Sequence, residues 1–398
     1  MVASSYPRYH GDSVGSFMEP IAQGIAARGH DVHLVAPWHP KWARAKVEGG
    51  VHFHLFRYAP FAQLNVFGYA EGMRGDVRLR ASAMAAAPLA MLAGWFKALR
   101  VAQKKRATII HAHWVIPGGV IGAAAAGSLP LVISLHGSDV FVAERHYIAR
   151  QAARAAFRRA VAITACSEDL RSRAVSIGAD ASRATVIPYG VDSDAFKPDV
   201  ERRARGRQHL GIADEVPLVV AVGRLVKKKG FEYLIEAASL LKPEFPALRV
   251  LIAGTGDLDK SLRAHAAGAG DAVTFLGDVP HHTVPALLAA ADVAVAPSVH
   301  DDAGNVDGLP NTVMETMASA TPLVTTAAGG IAAVARQGET ARLVPERDPV
   351  ALAAAIGDLL RHPALGAALG SRARELVCRE HSWGRVAKDF EAIYERSV

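Results

Sequence analysis

The feature that most constrains this chain is a series of short apolar runs, each closed by glycine or another turn residue and separated from the next by a helical stretch. PLVISLH, VPLVVAVG and LRVLIAG are the clearest. Such runs lack the polar alternation of a half-exposed strand, so they predict strands buried on both faces, in parallel sheets covered by helices. With 398 residues, 51% of them hydrophobic, the chain exceeds what one core fills, and two domains are expected.

The runs fall into two groups. The first opens with SSYPRYHGDSVGSF, passes through a helix ending near Arg28 and a strand in HDVHLVAP, and continues with strands at 108–111, 131–135, 161–164 and 185–187. PYGVDSDAFKPDVERRARGRQHLG, carrying Gly, Pro and charge, reads as the connection. The second group runs strand and helix through PLVVAVG, LRVLIAG, AVTFLG, VAVAPS, PLVTT and ARLVP. The expected domains are 1–197 and 198–380. In the final stretch, HSWGRVAKDFEAIYERSV, Trp383, Phe390 and Tyr394 share a helical stripe, so residues 381–398 are expected to dock back on the first domain.

Composition narrows the setting. Cys166 and Cys378 alone exclude a disulfide scaffold or a Cys-rich zinc site and fit a reducing compartment. The opening MVASSYP reads as a strand entering a turn, with no room for a signal peptide, and the expectation is a cytoplasmic protein. The net charge is +7, yet ERRARGR and Lys227–Lys229 are not interleaved with aromatics, so no nucleic-acid partner is expected. Phosphorylated small molecules or anionic lipid headgroups fit better. RASAMAAAPLAMLAGWFKALRVAQKK, Arg80–Lys105, is apolar with basic residues at both ends. Pro88, Gly94 and Lys97 weaken a membrane span, leaving either a buried helix or an interfacial one anchored by Trp95 and Phe96, peripheral on the inner face of an anionic membrane surface.

Ligands of open parallel sheets lie beyond the carboxyl ends of the strands, and the unusual loops fall there. Gly11 and Gly15 follow the first strand and let backbone approach an acceptor or phosphate. Neither that loop nor AGTGDL is a dinucleotide fingerprint, and no GxxxxGK[ST] loop is present, so NAD and ATP-hydrolysis readings lose support. In GRLVKKKGF, Arg224 can fork two phosphate oxygens and Lys229 can supply a mobile point charge, while Lys227 and Lys228 read as solvated surface. In DGLPNTVMETMASATPLVTT, Pro310 suits the first turn of a helix over 311–320 whose free N–H groups favour an anion. Glu315 sits one turn inside, and a bend at Gly308 can aim Asp307 at the same ligand. Two carboxylates beside such a helix start suit sugar hydroxyls plus phosphate.

Histidines complete the candidates. His136, in SLHGSD, follows a buried strand with Asp139 in reach, and its ring can steady a sugar hydroxyl or developing charge. His111 and His113 in HAHW read as a satisfied polar pair before a metal site. His300, Asp301, Asp302 and Asp307 read as exposed loop groups, and no metal site is assigned.

In order, YPRYHGDSVGSF, HAHW, HGSD, VIPYGVDSDAF, GRLVKKKG, AGTGDL, FLGDV and DGLPNTVMETMA make the chain resemble, end to end, a retaining glycosyltransferase of family 4 (glycosyltransferase group 1). The resemblance implies an α/β protein of the GT-B fold, two Rossmann-like parallel-sheet lobes facing a central cleft. It implies a nucleotide-diphosphate sugar as donor substrate and a glycan or lipid-linked acceptor, with no tightly bound cofactor and no metal required. Arg224 and Lys229 match the pair that grips the donor diphosphate. Glu315 matches the second glutamate of an E-x7-E pattern and would engage the ribose. Asp307 takes the first position, one methylene shorter than the usual glutamate. His136 matches the first-lobe histidine near the donor sugar, and Gly11 lies in the loop on the acceptor and diphosphate side, with GDSVG where many relatives have paired glycines. Gly223, Gly254, Gly308 and Leu309 complete the donor contacts so implied. A sugar phosphorylase or nucleotide-sugar epimerase of the same fold, or a non-enzymatic sugar-binding protein, remains open, as do the donor base, the sugar and the acceptor.

Overall fold

A computed structural model of the chain describes residues 1–12, 14–65, 67–69, 73–74, 78–79, 81–302 and 304–398. Ser13 and Arg80, which belong to two motifs above, lie outside the described residues. The chain forms two compact units, Met1–Tyr189 with Trp383–Val398, and Gly190–Ser382.

In the first unit the opening residues are the centre of the sheet. Val2 N–H donates to the His111 carbonyl at 2.9 Å, His113 N–H to Val2 at 2.8 Å, and Ala3 N–H to Val35 at 3.0 Å. The strands Val32–Pro37 and Val51–Phe56 lie outward on one side of this segment. Ile110–His113, Leu131–Leu135, Ala162–Ala165 and Ala184–Val186 follow on the other, all parallel. The sheet order therefore reverses beside the first strand. Val51–Phe56 was not anticipated, because His52 and His54 interrupt its apolar run, and the strand expected over 108–111 forms two residues later.

Packing explains why the last helix, Trp383–Ser397, joins this unit. Phe390, Ile393 and Tyr394 enter the core with Met18, Ile21 and Ile25 of the helix Met18–Ala27. Gly24 admits the close approach, since a Cβ there would stand 3.0 Å from that of Ala387.

The second unit is one six-stranded parallel sheet. Its spatial order is Val273–Gly277, Arg249–Ala253, Leu218–Val222, Val293–Ala296, Leu323–Thr326 and Arg342–Val344. The direction of winding switches between Leu218–Val222 and Val293–Ala296, where doubly wound sheets open their ligand crevice. Residues 190–197, expected with the first domain, pack here instead: Val191 bridges to Ser382, and Arg374 donates to the carbonyls of Phe196 at 2.9 Å and Ser193 at 3.3 Å.

Phe390 is 3% exposed, so Phe390→Ala is expected to cost about 3–5 kcal/mol in urea unfolding of the first unit. A cost below about 1 kcal/mol would mean that the terminal helix is not part of that core.

Candidate functional site

At the switch point of the second unit, the loop Gly223–Gly230 leaves Leu218–Val222 and meets the turn after Arg249–Ala253. Gly223 N–H donates to the Ala253 carbonyl at 2.9 Å, and Leu225 N–H to Thr255 at 2.9 Å. Gly254, at φ +136°, has to be glycine, because a Cβ would come within 1.9 Å of the Gly223 oxygen. Gly230 is as constrained, with Pro297 2.0 Å from its would-be Cβ. This backbone closure fixes where the basic side chains start. Arg224 is exposed, and the Lys229 stem lies over Gly223.

Asp307 closes the cluster. Its two oxygens take separate ammonium groups, Lys228 Nζ at 2.9 Å and Lys229 Nζ at 2.7 Å, with all three side chains at most 14% exposed. Burial opposes ionisation of Asp307, but the two lysines outweigh it and hold its carboxyl well below the usual carboxylate range. Lys228 is thus not the solvated residue expected from sequence. The Lys227 ammonium turns away to Glu232 at 2.7 Å. The chemistry of the triplet is that of an anion seat whose charge is already compensated by a carboxylate.

Glu315 lies on the helix Asn311–Ala318, two residues shorter than expected, and is 6% exposed. Its Oε1 is 2.8 Å from His281 Nε2, a half-exposed ring. This hydrogen bond raises the His281 pKa against its partial burial. The two carboxylates therefore have different protein partners, Asp307 the lysines and Glu315 the histidine. Gly308 forms the bend between them in sequence, and Leu309 is buried beneath it. The other loop groups do not converge: His300 pairs with Glu346 at 2.9 Å, and Asp301 accepts from Asn305 at 2.6 Å.

In the first unit, His136 ends Leu131–Leu135 with both ring nitrogens occupied. Nδ1 is 2.8 Å from the Tyr189 hydroxyl and Nε2 is 3.1 Å from His113 Nδ1. Phe17 and Trp114 flank the ring at 4.6 Å and 4.7 Å between centroids. Burial lowers its pKa to about 3, so the imidazole is neutral. The ring N–H assigned to a sugar hydroxyl is instead spent inside this unit. His113 Nε2 is buried without a partner, and an unpaired acceptor is tolerated better than an unpaired donor. We therefore assign His113 Nδ1–H donating to His136, whose Nδ1–H donates to Tyr189. His111, the other histidine of HAHW, is also a satisfied polar group, 2.6 Å from both Tyr394 and Ser134.

Asp139 organises the backbone around this ring. Its carboxylate accepts from Val115 N–H at 2.7 Å, Gly137 N–H at 3.0 Å and His136 N–H at 3.3 Å, while burial pushes its pKa up to about 6. The contact to Val115 steadies Trp114, held at φ +62°. Gly11, at φ +85° and exposed, is the tip of a loop closed by the buried pair Arg8–Asp12 at 2.6 Å.

Sequence reading missed Lys228, His281 and Tyr189. Only Lys228 carried a signal, since three consecutive lysines after one strand cannot all face the same way.

Two expectations follow. Asp307→Asn leaves two buried ammonium groups without their counter-charge and is expected to cost about 3–5 kcal/mol. Millimolar pyrophosphate should raise the melting temperature of the variant more than that of wild type. Equal rises would mean that the lysines do not form an anion seat. Because the His281 pKa is raised on folding, its pair with Glu315 stabilises below the ordinary imidazole pKa and stops doing so as pH rises through the raised value. His281→Gln should then cost up to about 1 kcal/mol near pH 6 and nothing measurable near pH 9 in urea unfolding. A cost independent of pH would show that no charge is involved.

Comparison with known proteins agrees with this arrangement. Residues 14–195 match the model of the family described as Glycosyltransferase Family 4, and residues 216–362 that described as Glycosyl transferases group 1. The GDP-mannose-dependent alpha-(1-6)-phosphatidylinositol monomannoside mannosyltransferase of Mycolicibacterium smegmatis is 34% identical over 261 residues, which are 65% of this chain and 68% of that one. Sucrose-phosphate synthase from Thermosynechococcus elongatus superposes with a TM-score of 0.79 at 21% identity over 99% of this chain and 98% of that one. Anabaena HepE in complex with UDP-glucose does so at 0.76, with 20% identity over 99% and 98%. The likeness to these structures shows an α/β protein of the two-lobed GT-B fold. With both halves matched and a relative of this similarity, the chain belongs to the group 1, family 4 glycosyltransferases.

Proposed function

We propose that the protein transfers a hexosyl group from a nucleoside-diphosphate sugar to a hydroxyl of a glycan or lipid-linked saccharide, with retention at the anomeric carbon and without a required metal. The observation that carries this reading is the cluster of Lys228, Lys229 and Asp307 at the switch point of the second unit, on the loop that also carries exposed Arg224. A diphosphate offers two adjacent anionic groups to a seat whose cations are already gathered. It would take the lysines over from Asp307, while Glu315, one turn inside the next helix, is available to the ribose hydroxyls.

Breaking the anomeric carbon–oxygen bond leaves its electron pair on the terminal phosphate of the leaving diphosphate. Fixed cations in a partly buried loop stabilise that charge without reorganising at the moment of reaction. This is why a metal ion is not needed in the reading. Attack by the acceptor hydroxyl on the face that the diphosphate leaves retains configuration, and the hydroxyl proton passes to the departing phosphate. With only two cysteines, Cys166 and Cys378, the composition fits a reducing, cytoplasmic setting.

A turnover screen of nucleotide sugars against glycan and lipid-linked acceptors, read by mass, tests the reading. Expected is transfer to at least one acceptor that survives exhaustive chelation and falls about 100-fold or more in Arg224→Ala and Lys229→Ala. Activity that vanishes with chelator and returns with one divalent ion would contradict the metal-free mechanism. Sugar release dependent on free phosphate would make the protein a phosphorylase, and inverted product would overturn retention.

A further inference from the structure

The helix Ala81–Lys104 of the first unit wears its residues the wrong way round for one that only covers a core. The face it turns inward is small: Ala90, Gly94, Ala98 and Ala102 are buried at four-residue spacing. Gly94 lets the helix approach closely, because a Cβ would come within 2.9 Å of the Ile121 side chain and 3.1 Å of that of Phe56 and would push them aside. Met91, Trp95, Leu99 and Val101 are half-buried, and three large apolar side chains point out. Leu89, Leu92 and Phe96 are 59%, 58% and 58% exposed, in one stripe that continues to exposed Arg100. An amphipathic helix packed for burial alone has the opposite arrangement.

The loop after Val51–Phe56 extends this surface. Arg57, Tyr58 and Pro60 line an open groove of about 570 Å³ with Leu89, Leu92 and Phe96. Phe61 and Leu64, just beyond, are also exposed. Single exposed leucines are ordinary, but a contiguous patch of this kind marks an interaction surface. It begins at the carboxyl end of Val51–Phe56, the sheet rim that also carries the Gly11 loop and the His136 turn.

Charge identifies the occupant. Residues 51–65 and 81–106 contain no Asp or Glu, whereas Arg57, Lys97, Arg100, Lys104, Lys105 and Arg106 are all basic. Two copies of this face would bring like charges together. An anionic bilayer offers hydrocarbon to the leucines and phenylalanines and phosphate to the basic groups. The stretch Ala85–Lys104 is long and apolar enough to cross a membrane, with a mean hydropathy of 1.2. It is nevertheless held lengthwise against the unit, by the Gly94 contact and by Trp95 Nε1–H donating to the Ala124 carbonyl at 3.1 Å.

We propose that this face seats the protein on an anionic phospholipid bilayer, with Leu89, Leu92 and Phe96 in the interface and the basic residues on the headgroups. The proposal is independent of the transfer reaction above. It is tested by co-sedimentation of the full chain with vesicles of phosphatidylcholine alone or with about 30% phosphatidylglycerol, at physiological and at raised salt. Expected is binding at least about tenfold tighter to the anionic vesicles, weakening as salt rises. Leu92→Glu with Phe96→Glu should reduce that binding about tenfold or more, with circular dichroism and nucleoside-diphosphate affinity unchanged. Arg100→Gln with Lys104→Gln should remove much of the salt-sensitive part, and it carries the test if the acidic pair disturbs folding. Wild-type binding no tighter to anionic than to neutral vesicles, or variants that bind as wild type does, overturns the proposal. So does a dimer in sedimentation equilibrium that the acidic pair abolishes, which would make the face a contact between copies of this chain.

Discussion

Both units depend on one topological constraint: in each parallel sheet the chain winds outward in both directions from its first strand. Connections that diverge there cannot cover the strand's carboxyl end, so a crevice opens and loops fill it. In the second unit those loops are Gly223–Gly230 and the segment after Val293–Ala296, and Gly230 against Pro297 is where they touch. In the first unit they are the Gly11 loop and the turn at Trp114, with His136 on the next strand over. Glycine at 230 and 254 is what permits this closure.

The two units differ in the charge they carry at these loops. The polar chain from His113 through His136 to Tyr189 is buried and neutral, which fixes a surface but offers no counter-charge. The cations lie on the second unit, and two of them are already desolvated by Asp307. A diphosphate that replaces this carboxylate avoids the cost of gathering two lysines anew. Aspartate in place of the longer glutamate fits that part, because the shorter arm reaches both lysines from its own loop.

Much of this was legible in the sequence, for identifiable reasons. Fully buried parallel strands leave long apolar runs bounded by glycine, and each of those in the second unit became a strand. Val51–Phe56 escaped notice because it is only half buried and carries His52 and His54 on its outer positions. Arg224, Lys229, Asp307 and Glu315 could be named because loop chemistry follows strand ends. Their partners could not. The pairing of Asp307 with Lys228, of Glu315 with His281 and of His136 with Tyr189 joins residues 34 to 79 positions apart, through contacts set by packing. The apolar helix Ala81–Lys104 shows the same limit: its composition allowed burial or exposure, and the packing of Ala90, Gly94, Ala98 and Ala102 shows which face turns in.

The most direct measurement is a crystal structure of the protein with a nucleoside diphosphate bound. Expected are phosphate oxygens within hydrogen-bond reach of Arg224 and Lys229, Asp307 released from at least one lysine, and Glu315 turned from His281 to the ribose. A diphosphate seated away from this loop, with Asp307 still holding both lysines, would contradict the account.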